Sequence, residues 1–305
     1  MPASPSLAWA WVPIVLWAAL AQTARNAAQR SLVAQAGTLG ATLSRFLYGV
    51  PFAALWVALL HAMPATRGPV PQFHAAYFGW LLVGAIGQIT ATATMLVAMK
   101  QRNFVVGAAY SKTDALQVAL FASVFLHELP GWWTVAAIAI ATCGVVLLSL
   151  PRRGMESGSW ISGAAWYGLA SGAGFAFSAV GYRGAALELQ GTPALLVGGW
   201  GVLWAQLVQS AILGGWLAWR TPDSLRAIVR EKKKALVAGL AGALASIGWF
   251  TAFALTSAAN VRTLGMVEVV FSYLVSRRLM KEKLAPAEQW GLLLVGVGLV
   301  VLCLR

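Results

Sequence analysis

Charge is scarce in this chain. Only 10% of its 305 residues are Asp, Glu, Lys or Arg, against roughly 25% in a soluble domain. Acidic residues are scarcer still, 9 against 22 Lys and Arg. So little charge cannot coat a core with a water-compatible surface, which excludes a soluble enzyme, a disordered protein and a nucleic-acid-binding module. Cysteine is nearly absent: Cys143 and Cys303 lie deep in apolar segments, with no disulfide framework and no CxxC or Cys/His metal spacing. The histidines, His61, His74 and His127, are scattered at the ends of apolar runs and form no ligand cluster. P-loop, HExxH and GxSxG motifs are missing, so neither ATP hydrolysis nor a resident metal or cofactor is expected. What the chain has in abundance is apolar length, with 59% hydrophobic residues and a mean hydropathy of +0.73. The net charge of +13 sits mostly in short clusters between apolar stretches, as basic loops beside membrane spans do.

A membrane-crossing helix needs about 20 mostly apolar residues. Ten segments qualify or nearly do: Ala8–Thr23, Ala41–His61, Ala76–Met99, Val105–Phe125, Trp132–Leu150, Ser162–Tyr182, Pro193–Trp219, Ala235–Ala254, Ala258–Leu279 and Ala287–Leu304. Their continuous hydrophobicity excludes the alternating pattern of a β-barrel. The first lacks a basic leader and runs on into further spans, so it reads as a helix and not as a cleaved signal. Trp132, Trp133, Trp160, Trp216, Trp219 and Trp290 lie near span ends, where an aromatic belt would place them. Gly168 and Gly172 form a GxxxG pair, a mark of close helix packing. Connections are short, the longest being Ala62–Ala75, Pro151–Ile161 and Arg220–Lys234.

The linker at residues 151–161 falls near the chain midpoint and divides residues 1–150 from residues 162–305. Laying Leu82–Leu148 on Leu236–Leu302 with a constant offset and no gap puts Glu128 on Glu282, Gly144 on Gly298 and Asp114 on Glu268. Arg25 and Arg183 take comparable places at the ends of spans one and six. Five spans per half is an odd number, so the second copy must be inverted, the plan of many secondary transporters. Lys and Arg concentrate in the odd-numbered loops, from Arg25 and Arg30 through the run Arg220–Lys234 to Lys283. The even side holds Arg67, Arg183, Arg262 and Arg305. That bias predicts a multi-pass protein of the inner, cytoplasmic membrane with both termini outside.

Each half ends in an apolar helix, a short Glu-containing turn and a Gly-bearing helix. These are Phe121–Glu128 through Gly144–Leu148, and Ser276–Glu282 through Gly298–Leu302. Arg45 and Phe46 open the second span. In this order and doubling the chain resembles the EamA family of the drug/metabolite transporter superfamily, over nearly its whole length. The resemblance implies an all-α membrane protein of ten helices in two inverted five-helix repeats. Helices one, three, four, six, eight and nine would line a central cavity, with five and ten peripheral. It further implies movement of a small metabolite or drug, often export, without ATP. Helices four and nine depart from the family pattern: where a small or proline-bearing apolar stretch is usual, they carry Tyr110–Asp114 and Arg262–Glu268. That departure points to a selective polar site.

Asp114 and Glu268 sit near the centres of their spans, where a charge costs about 2.5–3.5 kcal/mol on insertion scales. Intramembrane acids usually face a bundle interior, so the pair is expected to carry a proton, bind a cation or do both; an ion pair with Lys112 or an Arg is the structural alternative. Lys112 cannot reach Asp114 from two residues away on a regular helix. It needs another partner, either Glu268 across the cavity or a substrate carboxylate. Arg45 and Arg262 lie near helix starts, where snorkelling to the headgroups is the ordinary role. Arg45 alternatively offers a guanidinium fork to a carboxylate or phosphate. Tyr110 and Gln117, within a turn of Asp114, can complete a polar site. Gln88, Thr90, Thr92 and Thr94 give helix three a polar stripe of which half can face inward. Trp17 and Trp249 are candidates for an aromatic wall, or for packing. Glu128 and Glu282 read as helix caps or dipole partners.

The expected function is therefore a secondary transporter of a small charged or zwitterionic metabolite, coupled to protons through the two acids, acting as monomer or homodimer with membrane lipid around it. An intramembrane enzyme using the acids on a lipid-linked substrate would need a nucleophile or metal beside them, and none is evident. A non-transporting scaffold is the third possibility.

Overall fold

The computed structural model describes residues 9–66, 68–101, 111–149, 163–278 and 286–303. Among them the chain is helical and contains no strand. The helices are α1 (Trp11–Leu47), α2 (Val50–Ala62), α3 (Ala75–Gln101), α4 (Asp114–Phe125), α5 (Trp132–Ser149) and α6 (Gly163–Leu187). They continue with α7 (Ala194–Arg220), α8 (Pro222–Arg230), α9 (Lys232–Leu255), α10 (Ala258–Leu264), α11 (Glu268–Arg278) and α12 (Pro286–Cys303). Among the described residues, five helical stretches are long and apolar enough to cross a membrane: Trp11–Ala62, Ala75–Gln101, Ala194–Arg220, Lys232–Leu255 and Ala258–Val275.

The first stretch is not one rod. Gly37 has φ 70° and ψ 171°, a combination open only to glycine. The chain reverses there, because Gln29 Nε2 donates to the Ala41 carbonyl at 2.8 Å across 12 residues, and 12 residues of straight helix span about 18 Å. The first span therefore runs from Trp11 to Ala36, well past Thr23. The expected loop containing Arg25 and Arg30 does not exist: both belong to α1, and Arg25 is fully buried. Hydropathy ended the span at Thr23 because polar residues follow, yet those residues turn inward and hydrogen-bond one another. The expected loop Arg220–Lys234 also differs, holding the amphipathic α8, whose Ile228 is buried against Gly40 of α1.

Packing is by small residues. Helix α3 lies along α6, α1 along α9, and α5 along α12. At the last of these, a Cβ on Gly144 would sit 2.6 Å from the Gly291 carbonyl oxygen, and one on Gly298 would sit 2.9 Å from that of Ala137. The two large buried apolar clusters among the described residues contain Ala18, Leu81, Ala205 and Trp249 in one and Leu32, Met95, Leu213 and Ala238 in the other. Along α1, α3, α7 and α9 a polar layer lies between them, made of Gln22–Gln29, Gln88, and Gln206 with Gln209, beside Gly242. This layer is where the buried charges collect.

Candidate functional site

Asp114 and Glu268 each open a helix. Residues 112–113 form a turn before α4, and a 3-10 turn, Gly265–Val267, precedes α11. Both carboxylates thus follow a tightened helical turn inside the protein. Through both positions the backbone stays right-handed helical but tightens immediately before each acid, and Ala258–Val275 still runs as one membrane-length helical stretch.

The two turns are joined crosswise. Lys112 Nζ is ion-paired with Glu268, and Arg262 is ion-paired with Asp114. All four side chains are buried. Glu268 also accepts from Gln22 Nε2 at 2.5 Å and from Asn26 Nδ2 at 2.7 Å, so α1 is tied to the same carboxylate. Arg25 lies along this edge, donating to Asn26 Oδ1 through Nε and Nη2 at 3.1 and 2.6 Å and to Gln22 Oε1 through Nη1 at 3.2 Å. Trp249 Nε1 donates to the same Gln22 oxygen at 2.8 Å. The guanidinium of Arg262 lies 5.2 Å from the ring centres of both Phe175 and Trp249. Asp114 Oδ1 and Arg262 Nε are buried without a hydrogen-bond partner among the described residues.

Beside this cluster runs a neutral one. Tyr182 Oη donates to Gln88 Oε1 at 3.0 Å, and Gln209 Nε2 donates to Gln88 Oε1 at 2.8 Å and to Tyr182 Oη at 3.0 Å. Within the polar stripe of α3, Gln88 and Thr92 are buried, while Thr94 bonds back to the Thr90 carbonyl at 2.8 Å. The space enclosed by Gln22, Gln88, Tyr182, Trp249 and Arg262 is a cavity of only about 10 Å³, room for about one water. A larger cavity of about 540 Å³ is an apolar groove between α4 and α5, lined by Leu116, Leu120, Val135 and Cys143, with none of the buried charges on its wall.

Several expectations change on this geometry. Arg45 and Arg262 do not snorkel: they are 1% and 5% exposed, because Arg262 turns inward to Asp114 and Arg45 packs between Phe46 and Gly242. Trp17 forms no wall; it is 51% exposed, on the outer face of α1, opposite the network. Trp249 is the tryptophan at the site. Gln117 is partly buried against Gly172, the second glycine of the GxxxG pair, where a Cβ would lie 3.2 Å from its Nε2 and 3.3 Å from the Asp114 backbone nitrogen. Tyr110 and Glu282 lie outside the described residues. Glu128 is held by Arg183 at 2.7 Å and accepts from the backbone N–H of Ala258 at 3.3 Å, so it caps α10 in the opposite half.

Gln22, Arg25 and Asn26 were missed as site residues. A signal existed: with Gln29 they recur at i, i+3, i+4 and i+7, a single helical face.

No protein-family model matches the chain, and no curated protein matches it. One solved crystal structure of a protein superposes with a TM-score of 0.66 at 18% identity, over 96% of this chain and 96% of its own. At that identity the likeness is one of fold.

Proposed function

We propose that the chain is a secondary transporter of the EamA type, built from ten membrane helices in two inverted five-helix repeats. It moves a small charged or zwitterionic metabolite or drug by alternating access, as an exporter in the inner membrane. The observation that carries this reading is the pair of crossed ion bridges beside two tightened helical turns, Lys112 to Glu268 and Arg262 to Asp114. Many transporters place their substrate and coupling-ion sites near the midplane, between the repeats.

The count of ten follows if Trp11–Ala62 supplies two spans by reversing at Gly37. The segment ending in α4, then α3, α5, α6, α7, α9, α10 with α11, and α12 supply the rest. Two features support the inverted repeat. The turn at residues 112–113 falls, at the offset that puts Asp114 on Glu268, within the 3-10 turn Gly265–Val267. The α5–α12 contact is reciprocal: the same offset exchanges Gly144 with Gly298 and Ala137 with Gly291, which are the residues that meet. Removing Arg25, Arg30, Arg183 and Arg262 from the loop count leaves the Lys and Arg bias standing, which supports both termini outside.

Because each acid is already paired, a proton or cation reaches it only by displacing Lys112 or Arg262. A substrate carboxylate likewise reaches Lys112 by displacing Glu268. Exchange of partners across the two halves would couple loading to their rocking. Amides and cations hold the acids, which supports binding over acid–base chemistry on a lipid-linked substrate.

Purified protein in liposomes with an internal pH dye, challenged with amino acids, organic acids, polyamines and cationic drugs, tests the reading. The expected result is substrate-dependent flux that is lost in Asp114→Asn and Glu268→Gln. Flux that persists in both variants makes these acids structural, and absence of flux for every compound removes the transport reading.

A further inference from the structure

The buried charges do not balance. Among the described residues Arg25, Arg45, Lys112 and Arg262 face only Asp114 and Glu268, leaving two positive charges in excess. Lys112 and Arg262 each have a carboxylate, and Arg25 meets neutral amides at the edge of the Glu268 network. Arg45 has nothing comparable. It is 1% exposed and both terminal nitrogens are buried without a hydrogen-bond partner. One face of its guanidinium is covered by the Phe46 ring, 4.4 Å away. Its charged neighbour across Gly242 is another cation, Arg25.

A guanidinium keeps its proton inside a protein, so Arg45 cannot escape this position by becoming neutral. An unpaired buried charge is strongly unfavourable, and such groups are found paired or bound to ligand. The last turn of the helix ending at Leu47 supplies a partial negative field, equivalent to about half a charge, which leaves most of the imbalance in place. Gly242 on α9 brings the two unmatched arginines together: a Cβ there would lie 3.3 Å from Arg45 Cβ and 3.5 Å from Arg25 Cδ. Both side chains therefore border one stretch of the polar layer.

Resting on the transporter reading above, we propose that Arg45, assisted by Arg25, binds an oxyanion, the carboxylate or phosphate group of a substrate that is anionic overall. The fork of two free Nη groups matches the two oxygens of such a group. The excess positive charge selects against the cationic drugs that two acids alone would have admitted.

The test measures binding and flux separately, with wild type, Arg45→Gln and Arg45→Lys as full-length purified proteins. Probes are a dicarboxylate such as succinate, inorganic phosphate, and spermidine as the cationic control. Each is titrated calorimetrically in nanodiscs of phosphatidylcholine alone and again in nanodiscs containing phosphatidylglycerol. The expected result is that succinate or phosphate binds wild type and loses affinity by about tenfold or more in Arg45→Gln. Arg45→Lys, which keeps the charge but loses the fork, falls between and serves as the readout if Arg45→Gln does not fold. Soluble anions that compete only in phosphatidylcholine discs, with phosphatidylglycerol filling the Arg45-dependent site, also support the site and assign its source as a lipid headgroup. Anion binding unchanged in both variants, or binding of spermidine alone, overturns the proposal. Arg45-dependent anion binding without flux retains this site and defeats the transporter reading; spermidine flux without anion binding does the reverse.

Discussion

Lys112 is ion-paired with Glu268, 156 residues away, although Asp114 is only two residues from it in sequence. The corresponding acid of the other half thus holds the lysine, and the return partnership runs from Arg262 to Asp114. Each half carries one acid and one base beside its tightened turn, and neither half satisfies its own. The halves are held to each other at the level of these turns, which is where a carrier would need them to separate.

Removing one member of such a pair strands the other in a dry interior. Lys112→Met is expected to cost about 3–5 kcal/mol of stability, and the double variant Lys112→Met/Glu268→Gln distinctly less. Thermal unfolding of purified protein measures both. A double variant as unstable as the sum of the two single changes would show that the charges are not coupled.

Asp114→Asn leaves Arg262 facing an amide, with Phe175 and Trp249 beside it. Flux should fall to background while helical content and size-exclusion profile stay native. Arg262→Gln should give the same loss, since the pair acts as a unit. Retained flux in either variant counts against the pair as part of the transport site.

Gly37→Ala should reduce the yield of folded protein sharply, by about 1–3 kcal/mol of local strain. Asn should not rescue it, because ψ of 171° lies outside the left-handed helical region that Asn tolerates. A Gly37→Asn protein as stable as wild type would mean that α1 reverses by another geometry.

Leucine at Gly144 or at Gly298 drives a side chain into the facing backbone. Both substitutions should lower the unfolding temperature, and by similar amounts, because each glycine lets α5 and α12 approach to a backbone carbonyl at nearly the same distance. A large effect at one glycine and none at the other argues against equivalent packing.

The two candidate tryptophans should separate cleanly. Trp249→Phe removes the Nε1 bond to Gln22, costing about 1 kcal/mol, and should weaken substrate affinity. Trp17→Ala, on the exposed outer face, should leave affinity unchanged. Equal effects on affinity would return Trp17 to the site.

How much of this was legible depended on what hydropathy can register. Apolar length marked where helices run, and the matched acids Asp114 and Glu268 stood out as charges with no reason to be in an apolar segment. Hydropathy failed where polar residues serve the interior. Gln22, Arg25, Asn26 and Gln29 resemble the start of a loop in a sliding average, yet they are one stripe of a helix that continues to Ala36. Arg45 and Arg262 near apparent span ends read as headgroup anchors for the same reason, since an average over residues cannot say which way a side chain points. Gly37 gave little warning among 31 glycines, because a reversal without a polar loop has no compositional mark.

By itself the sequence determined the all-helical, apolar character of the chain, the doubling of its acid-bearing segments and the scarcity of charge that makes each buried ion conspicuous. These follow from composition and spacing, which are properties of the chain alone. Only the tertiary structure decided which charge meets which: that Lys112 crosses to Glu268, that Arg262 takes Asp114, and that Arg45 is left over. Pairing is settled by distances between helices remote in sequence, and at a dry interface the strength of each bond depends on those distances and on nothing written locally in the chain.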